Sequence, residues 1–479
     1  MTTFAKPVDK HVKQKKTQNA QYNKSTLKIN MKIGCLGAGY VGGPTMAVFA
    51  AQCPDVEVIV ADISKERIDQ WNSDSLPIFE PQLLDLVLKC RGINLVFTTD
   101  VGYCVRESDI IFLAVNTPTK VTGIGAKMAC DLSSIESAAR EIAKHSTGHK
   151  IVVEKSTVPC QTAEKITAIL ESNSNVHFEV LSNPEFLAEG TAIQNLISPD
   201  RVLIGGTNTE EGRMAQEVLA NLYRRWIPEE KIIKMNVWSV ELAKLAANAM
   251  LAQRISSINS LSQICEEIGA DVEEVAHALG TDNRIGKKFL GAGIGFGGSC
   301  FTKDILSLVY IAKSLHLEHV AEYWKQVIVI NEEQKIRFIK RIVSNLFDTL
   351  HGKKIAIFGV AFKNNTADVR ESPGLALVRQ FAAENAILNV YDPMARAEDI
   401  HHHLRDLKKS TYIVHSDAYS AVVDNDAIVI CTEWNEFAKL DYDIIYKSMR
   451  KPASIFDGRI VVNADQLRDI GFKVHTIGK

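Results

Sequence analysis

The sequence lacks the features that mark several large protein classes. No apolar run reaches the roughly 18 residues that cross a bilayer, so we expect no membrane partner. There is no basic surplus, since 55 Lys and Arg face 57 Asp and Glu, which argues against nucleic-acid binding through phosphate neutralisation. Residues 1–30 are polar and lysine-rich without the apolar stretch of a secretory signal. We predict a disordered tail there and a cytoplasmic protein.

Signals for metal binding and for disulfides are also weak. The nine cysteines form no CxxC pair and no Cys/His cluster with zinc-ligand spacing. Their odd number and scattered positions favour a reduced compartment, in which most of them are small buried side chains. His401, His402 and His403 are consecutive and cannot readily converge on one ion from a helix or strand. We therefore expect no metal.

With 479 residues, the chain is too long for one ordinary core. From Met31 onward, strand-like apolar runs alternate with helical patterns, which predicts a doubly wound parallel sheet. Long helical patterns follow from about Trp238, and a second strand–turn–helix pattern begins at Lys353. The predicted fold is α/β, with two Rossmann-like doubly wound domains joined by a long helical connector. We place the tail at 1–30, the first domain at 31–236, the connector at 237–348 and the second domain at 349–479.

A GxGxxG motif directly follows the first predicted strand. Its first two glycines permit a tight turn and close backbone approach to a pyrophosphate, and the third lets the next helix sit against the strand. The next strand ends in Asp62, about 20 residues on, where a carboxylate binds ribose hydroxyls and repels a 2′-phosphate. Arg67 is the one feature that would suit a 2′-phosphate, and NAD is the predicted cofactor. The motif comprises Gly37, Ala38, Gly39, Tyr40, Val41 and Gly42.

A second glycine-rich segment, residues 293–298, ends just before Cys300 and a helical pattern. A cysteine near a helix N-terminus, with Lys303 adjacent, has an electropositive setting that lowers a thiol pKa and favours the nucleophilic thiolate. An inert buried cysteine in a glycine-rich turn would produce the same pattern, and this segment alone does not decide between the two. Beside a nicotinamide, a reactive thiol would allow an aldehyde to be oxidised to a carboxylate.

Two pairs of polar residues have i,i+4 spacing. Glu185 and Glu189 would share one face if their segment were helical, although two solvated glutamates are the simpler interpretation. Lys244 and Asn248 lie among alanines and leucines, which predicts a buried helix. There Lys244 must find a partner or lower its pKa, unless its side chain reaches solvent.

Long, separated motifs make the chain from Met31 to Lys479 resemble the UDP-glucose/GDP-mannose dehydrogenase family. The motifs are GAGYVGGPT (37–45), VNTPTK (115–120), EKSTVP (154–159), SNPEFLAEGT (182–191), and the segments 195–206, 241–259, 295–304 and 455–459. The resemblance implies oxidation of UDP-glucose to UDP-glucuronate by two NAD⁺. It further implies an N-terminal NAD domain, a central dimerisation domain and a C-terminal domain that binds the UDP-sugar.

The resemblance also implies roles for individual residues. Cys300 is the nucleophile, Glu185 the acid or base for thioester hydrolysis, and Asp304 with Lys244 the base for the alcohol. Lys244 and Asn248 donate to the reacting oxygen, and Thr157 positions water. Beyond the glycine turn, the implied NAD contacts are Asp62, Arg67, Val115, Asn116, Thr117, Pro118, Thr119, Ser156, Thr157, Val158, Glu189, Cys300, Phe301, Thr302, Lys303 and Arg370. The implied substrate contacts are Glu185, Phe186, Leu187, Ala188, Glu189, Lys244, Leu245, Ala246, Ala247, Asn248, Arg284, Gly291, Ala292, Gly293, Ile294, Gly295, Phe296, Gly297, Phe362, Lys363 and Arg459.

Arg284 matches a residue that reaches the substrate of an adjoining subunit, which implies a homodimer or homohexamer. The chain departs from the family pattern at Gly291, where relatives carry a longer side chain beside the uridine pocket, and at Thr302. A sibling specificity, for GDP-mannose or UDP-N-acetylmannosamine, would keep every catalytic residue. An inactive NAD-binding paralogue or a simple β-hydroxyacid dehydrogenase would also carry the nucleotide motif, but neither has a use for Cys300.

Overall fold

The computed structural model describes residues 31–479, so the tail predicted at 1–30 lies outside the described residues. In the described part, two β-sheets are connected by long helices, which confirms the predicted fold class. None of the helices described there is both long and apolar enough to cross a membrane.

The first sheet contains eight strands in the order β3-β2-β1-β4-β5-β6-β7-β8. All neighbours are parallel except β6 and β7. The order reverses between β1 and β4, and in doubly wound sheets this switch point is where ligands bind. The strands are β1 (Lys32–Leu36), β2 (Glu57–Ala61), β3 (Leu95–Thr98), β4 (Ile110–Leu113), β5 (Lys150–Glu154), β6 (Phe178–Ser182), β7 (Val202–Gly206) and β8 (Ile232–Asn236).

Helices cover both faces of this sheet, because alternate strand residues enter two separate apolar layers. Ile33 and Cys35 belong to one layer, and Leu36 and Ile59 belong to the other. The helices are α1 (Gly42–Gln52), α2 (Lys65–Trp71), α3 (Leu83–Cys90), α4 (Val101–Glu107), α5 (Ser133–His145), α6 (Thr162–Asn173), α7 (Ala192–Ile197) and α8 (Glu210–Tyr223).

The connector is built on one 32-residue helix. It begins where the Asn236 side chain accepts hydrogen bonds from the N–H groups of Trp238 and Ser239, and it ends at Gly269, which has a φ of 77°. A short break around His316 separates the third helix from the fourth. The four helices are α9 (Val237–Ile268), α10 (Val272–Thr281), α11 (Phe301–Ser314) and α12 (Glu318–Asn345).

The second sheet is parallel throughout, in the order β11-β10-β9-β12-β13-β14. Its strands are β9 (Lys354–Phe358), β10 (Ile387–Tyr391), β11 (Tyr412–Val414), β12 (Ala427–Ile430), β13 (Ser454–Asp457) and β14 (Lys473–Thr476). Its helices are α13 (Pro373–Ala383), α14 (Ala397–His403), α15 (Ala418–Val422), α16 (Tyr442–Ser448) and α17 (Ala464–Ile470).

Asp392, at the end of β10, occupies the same place in the second sheet as Asp62 does after β2 in the first. Its Oδ2 accepts hydrogen bonds from the N–H groups of Val360 and Ala361 at 2.7 and 2.8 Å, and from Trp434 Nε1 at 3.2 Å. Its Oδ1 accepts two more backbone N–H groups, both at 2.9 Å. Five donors therefore converge on one buried carboxylate, which fixes the turn after β9.

Replacing Asp392 by Ala should destabilise the second sheet, because these buried N–H donors lose their acceptor. We expect a loss of roughly 3 kcal/mol or more in the free energy of unfolding. Urea denaturation followed by circular dichroism measures it. Glu398→Ala, on exposed α14, is the control and should change stability by less than about 0.5 kcal/mol. Equal stability of the two variants would contradict this account of the turn.

Candidate active site

The GxGxxG motif forms a tight turn between β1 and α1, as predicted. A Cβ atom on Gly37 would lie 2.4 Å from the carbonyl oxygen of Ala114, and one on Gly42 would lie 2.0 Å from the carbonyl oxygen of Gly37. These two glycines are therefore needed for packing within the protein. A Cβ atom on Gly39 would meet no protein atom within 4 Å, which leaves space for a ligand at the start of α1. This geometry fits a dinucleotide pyrophosphate.

The carboxylate of Asp62 stands beside this turn. Its Oδ2 accepts the N–H of Ala38 at 2.8 Å and lies 2.9 Å from Nη1 of Arg67. Arg67 is therefore paired with the carboxylate, where the sequence had suggested a possible 2′-phosphate partner. The pairing agrees with NAD as the cofactor.

Four polar side chains predicted from separate motifs meet between α9, α11 and the segment after β6. The Nζ of Lys244 lies 3.1 Å from Oε1 of Glu185, and Nδ2 of Asn248 donates to Oδ2 of Asp304 at 2.6 Å. All four side chains are buried. Cys300 precedes α11 and is exposed at the same place. The structure thus brings together a thiol, an ammonium, an amide and two carboxylates.

The ion pair between Lys244 and Glu185 holds both groups in their charged forms. Burial disfavours the ammonium, but Glu185, Asp304 and Cys300 outweigh it and raise the pKa of Lys244. Burial likewise opposes ionisation of Glu185, yet Lys244, the N–H of Leu187 and a second lysine together lower the pKa of its carboxyl. The predicted need of Lys244 for a partner is met, and its side chain does not reach solvent.

The expectation that the Cys300 thiol has a lowered pKa was wrong. Although Cys300 has contact with solvent, the surrounding protein partly desolvates its sulfur, and the nearby carboxylates of Asp304 and Glu185 repel the thiolate, so the pKa is raised. Lys303, which was expected to stabilise the thiolate, reaches instead toward Thr117 and Asp304. Lys244 is the cation that acts against the rise.

The segment that carries Glu185 and Glu189 is not helical, so the i,i+4 argument does not apply to it. It is a loop without regular secondary structure, in which the two carboxylates have different partners. Oε2 of Glu185 accepts the N–H of Leu187, whereas Glu189 meets Thr366 Oγ1 at 3.1 Å and Arg370 Nη2 at 3.2 Å. Burial and the neighbouring carboxylate of Asp368 raise the pKa of Glu189 to about 7.

Three segments predicted to bind the cofactor are joined to one another by hydrogen bonds. Thr117 Oγ1 donates to the carbonyl of Thr157 at 2.8 Å, and Ser156 Oγ donates to that of Val115 at 2.7 Å. Lys303 Nζ donates to the carbonyl of Thr117 at 3.3 Å. These bonds join residues 115–119, 156–158 and 301–303, so Asn116, Pro118, Thr119, Val158, Phe301 and Thr302 lie in the joined segments.

The predicted substrate loop, residues 291–297, is held by side chains that the sequence did not single out. Asn259 Oδ1 accepts the N–H of Gly293 at 2.9 Å, and Gln334 Nε2 donates to its carbonyl at 3.0 Å. Asn331 bonds both the N–H and the carbonyl of Phe296. Their signal in the sequence is a polar residue on the buried face of a helical pattern.

Residues that follow strands β9 and β13 of the second sheet approach the same loop. A Cβ atom on Gly297 would lie 3.0 Å from Cβ of Phe362, and one on Gly293 would lie 3.0 Å from Nη1 of Arg459. In residues 31–479, Arg459 Nη2 is buried without a hydrogen-bond partner. Lys363 follows Phe362, and burial lowers its pKa against the opposing effect of three carboxylates. This arrangement offers positive charge to an anionic ligand.

The remaining residues of the substrate set fall into two groups. On the glycine loop, Gly291 is exposed, and a Cβ atom on it would meet no protein atom within 4 Å, whereas Ala292, Ile294 and Gly295 are buried. The ring centroid of Phe186 lies 3.9 Å from Cζ of Arg201 and 5.1 Å from Nζ of Lys244, and Leu187 and Ala188 follow this residue. On α9, Leu245 is in the core, and Ala246 and Ala247 are half-buried.

Arg284 is not brought to this cluster within one chain. Its side chain is 89% exposed and pairs with Asp282, two residues away. Among the described residues, no group of histidine, cysteine and acidic side chains could hold a metal ion. His401 meets the Tyr412 hydroxyl and His403 the carbonyl of Asp399.

Comparison with known proteins extends over nearly all of the described chain. Family models of the UDP-glucose/GDP-mannose dehydrogenases match as the NAD binding domain at 31–227, the central domain at 238–333 and the UDP binding domain at 356–464. UDP-glucose 6-dehydrogenase 4 of Arabidopsis thaliana is 56% identical, over 94% of this chain and 97% of its own. UDP-glucose 6-dehydrogenase of Drosophila melanogaster is 55% identical, over 94% and 96%.

A solved structure of a UDP-glucose dehydrogenase from Pyrobaculum islandicum is 30% identical and superposes with a TM-score of 0.82, over 94% of this chain and all of that one. These matches agree with three features of the structure: the GxGxxG turn after β1, Asp62 after β2, and the presence of two doubly wound sheets. The chain is an NAD-dependent oxidoreductase, and it belongs to the UDP-glucose/GDP-mannose dehydrogenase family.

Proposed function

We propose that this protein oxidises UDP-glucose to UDP-glucuronate in two NAD-dependent steps, through a thiohemiacetal and a thioester on Cys300. The observation that carries the proposal is the placement of the Cys300 thiol beside Lys244, Asn248, Asp304 and Glu185. The names of the similar enzymes from Arabidopsis and Drosophila support the choice of sugar. When bound, NAD⁺ accepts the hydride that the sugar carbon loses in each oxidation.

In the first oxidation, the sugar hydroxyl must lose a proton. Asp304 is suited to take it, because burial raises the pKa of its carboxyl and its Oδ1 has no hydrogen-bond partner in the described chain. Asn248 holds the other oxygen, Oδ2. Lys244 is charged and can stabilise the alkoxide oxygen as it forms.

In the second stage, the Cys300 sulfur attacks the aldehyde carbon, and its thiol proton passes to the oxygen or to a neighbouring carboxylate. The thiohemiacetal then loses its hydride to NAD⁺ and any proton on its oxygen to a neighbouring carboxylate, which gives a thioester. Water attacks the thioester carbon, the carbon–sulfur bond breaks, and the acid and the Cys300 thiol are released. Glu185 can take the proton from this water, since its pKa is held low and it is ionised at neutral pH. The raised thiol pKa suits a nucleophile that waits as the thiol until the aldehyde forms.

We also propose the unit boundaries and the assembly that the sequence suggests. The NAD domain spans 31–236, the helical domain 237–348 and the UDP-sugar domain 349–479, in a cytoplasmic homodimer or homohexamer. The exposed position of Arg284 supports its predicted contact with a substrate of the adjoining subunit, because it has no part in the cluster of its own chain.

A panel of nucleotide sugars tests the substrate. NADH formation should be at least about tenfold more efficient, in kcat/KM, with UDP-glucose than with UDP-galactose, UDP-N-acetylmannosamine or GDP-mannose. Two NADH should form for each UDP-glucuronate. Preference for another sugar would reject UDP-glucose and leave the dehydrogenase chemistry in place, whereas one NADH per product would reject the second oxidation.

Replacing Cys300 by Ser should stop the reaction before the acid is released, because the neutral serine hydroxyl is a much poorer nucleophile than a cysteine thiol, and an alkoxide is a poorer leaving group than a thiolate. Glucuronate formation, measured by chromatography, should fall by about 10³-fold or more. Cys130→Ser, at a half-buried cysteine near Lys303, is the matched control and should keep most of the activity. Normal glucuronate formation by the Cys300 variant would exclude the thioester.

The pKa of about 7 at Glu189 predicts a pH-dependent affinity for NAD⁺. Its carboxyl becomes charged as pH rises through 7. Because Glu189 is among the implied NAD contacts, its carboxylate should attract the positive nicotinamide ring, so the Kd should fall roughly three- to tenfold from pH 6 to pH 8. Glu189→Gln should bind with no such trend. Titration calorimetry measures both proteins, and NADH, whose ring is uncharged, is the control ligand. An equal pH dependence of the Kd in Glu189→Gln would show that another group causes it.

A further inference from the structure

Glu80 is a buried acid that the proposed mechanism does not use. It lies between α2 and α3 in a segment without regular secondary structure and is 5% exposed, whereas the adjacent Phe79 is 62% exposed. Burying a carboxylate while exposing a phenyl ring reverses the usual preference of both side chains. The contacts of the carboxylate explain the reversal.

Both carboxylate oxygens bind backbone from the loop of the predicted active-site glutamates, more than 100 residues later in the chain. Oε1 of Glu80 accepts the N–H of Gly190 at 2.6 Å, and Oε2 accepts the N–H of Ala192 at 3.0 Å. Ala192 is the first residue of α7, whose own N-cap, Thr191, makes no capping bond through its side chain. Glu80 therefore caps the loop and the helix from a distant segment.

The loop is fixed from its other side by the segment that follows β9 of the second sheet. Gly190 has a φ of +81°, and a Cβ atom on it would lie 2.2 Å from the carbonyl oxygen of Asn365. Glu189, one residue earlier, bonds Thr366 and Arg370 of the same neighbouring segment. The turn is thus confined between Glu80 and the loop after β9, so releasing it would displace Glu189.

Glu80 also contributes charge at Lys363. Burial lowers the pKa of Lys363, and Glu189, Glu80 and Glu433 oppose this by stabilising the ammonium. Burial raises the pKa of Glu80, and the N–H groups of Gly190 and Ala192 together with the charge of Lys363 act against this rise. Gly190, whose N–H Glu80 accepts, lies against Asn365, two residues after Lys363, so one carboxylate acts on both the loop of Glu189 and the segment of the lysine predicted to bind the nucleotide.

We infer that Glu80 is a positioning residue that holds the Glu189 turn in place and keeps its negative charge beside Lys363. The inference rests on the proposed function for the identity of the substrate. The inference sets two requirements. Holding the turn needs the full length of the side chain, and keeping Lys363 protonated needs its negative charge.

Two variants of the full chain separate these requirements. Glu80→Asp keeps the charge and shortens the reach, so kcat for UDP-glucose should fall about tenfold with little change in the pH profile. Glu80→Gln keeps the length and removes the charge. Its amide cannot accept both N–H groups, so kcat should fall similarly. In addition, Lys363 should lose its proton at lower pH, which moves the alkaline decline of kcat/KM to lower pH.

Three controls make the test specific. Asp85→Asn removes one exposed charge from nearby α3 and should behave as wild type. In a Lys363→Met background, Glu80→Gln should produce no shift of the alkaline limb. Thermal unfolding of each variant ensures that the protein is folded at the assay temperature.

Binding of UDP, measured by calorimetry between pH 7 and pH 10, provides a readout that does not depend on turnover. Weaker alkaline binding by Glu80→Gln than by wild type supports the inference even if the wild-type enzyme prefers another sugar. Wild-type kcat, pH profile and UDP binding in both variants would overturn it, as would a shift that persists without Lys363. A lowered melting temperature with unchanged kinetics would also overturn it, because it would make Glu80 purely structural.

Discussion

The buried ion pair between Lys244 and Glu185 is the contact on which the rest of the site depends. A lone ammonium or carboxylate at this depth would be too costly to keep charged, so each group requires the other. The two residues come from different elements, the connector helix α9 and the loop after β6. Their pairing therefore fixes the first sheet against the connector while it sets the charge that Cys300 and Asp304 experience.

The ion pair also gives the acids of the site different electrostatic environments and therefore different pKa values. Glu185 is held ionised by Lys244, whereas Asp304 has a raised pKa although Lys303 and Lys244 are near it. Glu189 lies farther along the loop beside a second acid, and its pKa is raised to about 7. Three carboxyl groups on neighbouring segments thus have different proton affinities, as sequential proton transfers require.

Much of the architecture was predictable from the sequence, and the exceptions have physical reasons. The buried strands at the sheet centres have continuous apolar runs and the helices α9–α12 have helical patterns, whereas β3, β8 and β14 are edge strands with weaker patterns, and β7 ends in two glycines. The glycine turn and the buried Lys244 followed from local pattern and chemistry.

The thiol pKa and the path of the glutamate loop could not be read locally. Each depends on charges that other segments bring to the site, as Asp304 and Glu185 do at Cys300. The roles of Glu80, Asn259 and Asn331 could not be predicted from the local sequence either, because their partners are backbone groups far along the chain.

The two sheets share a plan but use the acid at the end of the second strand differently. Asp62 receives few protein donors, whereas Asp392 accepts five and has little capacity left for the hydroxyls of a ribose. The second sheet has the same strand order as the first six strands of the dinucleotide-binding sheet, but the acid after its second strand is bound by protein donors. A dinucleotide ribose would therefore meet no carboxylate that is open to its hydroxyls at this end of the second sheet.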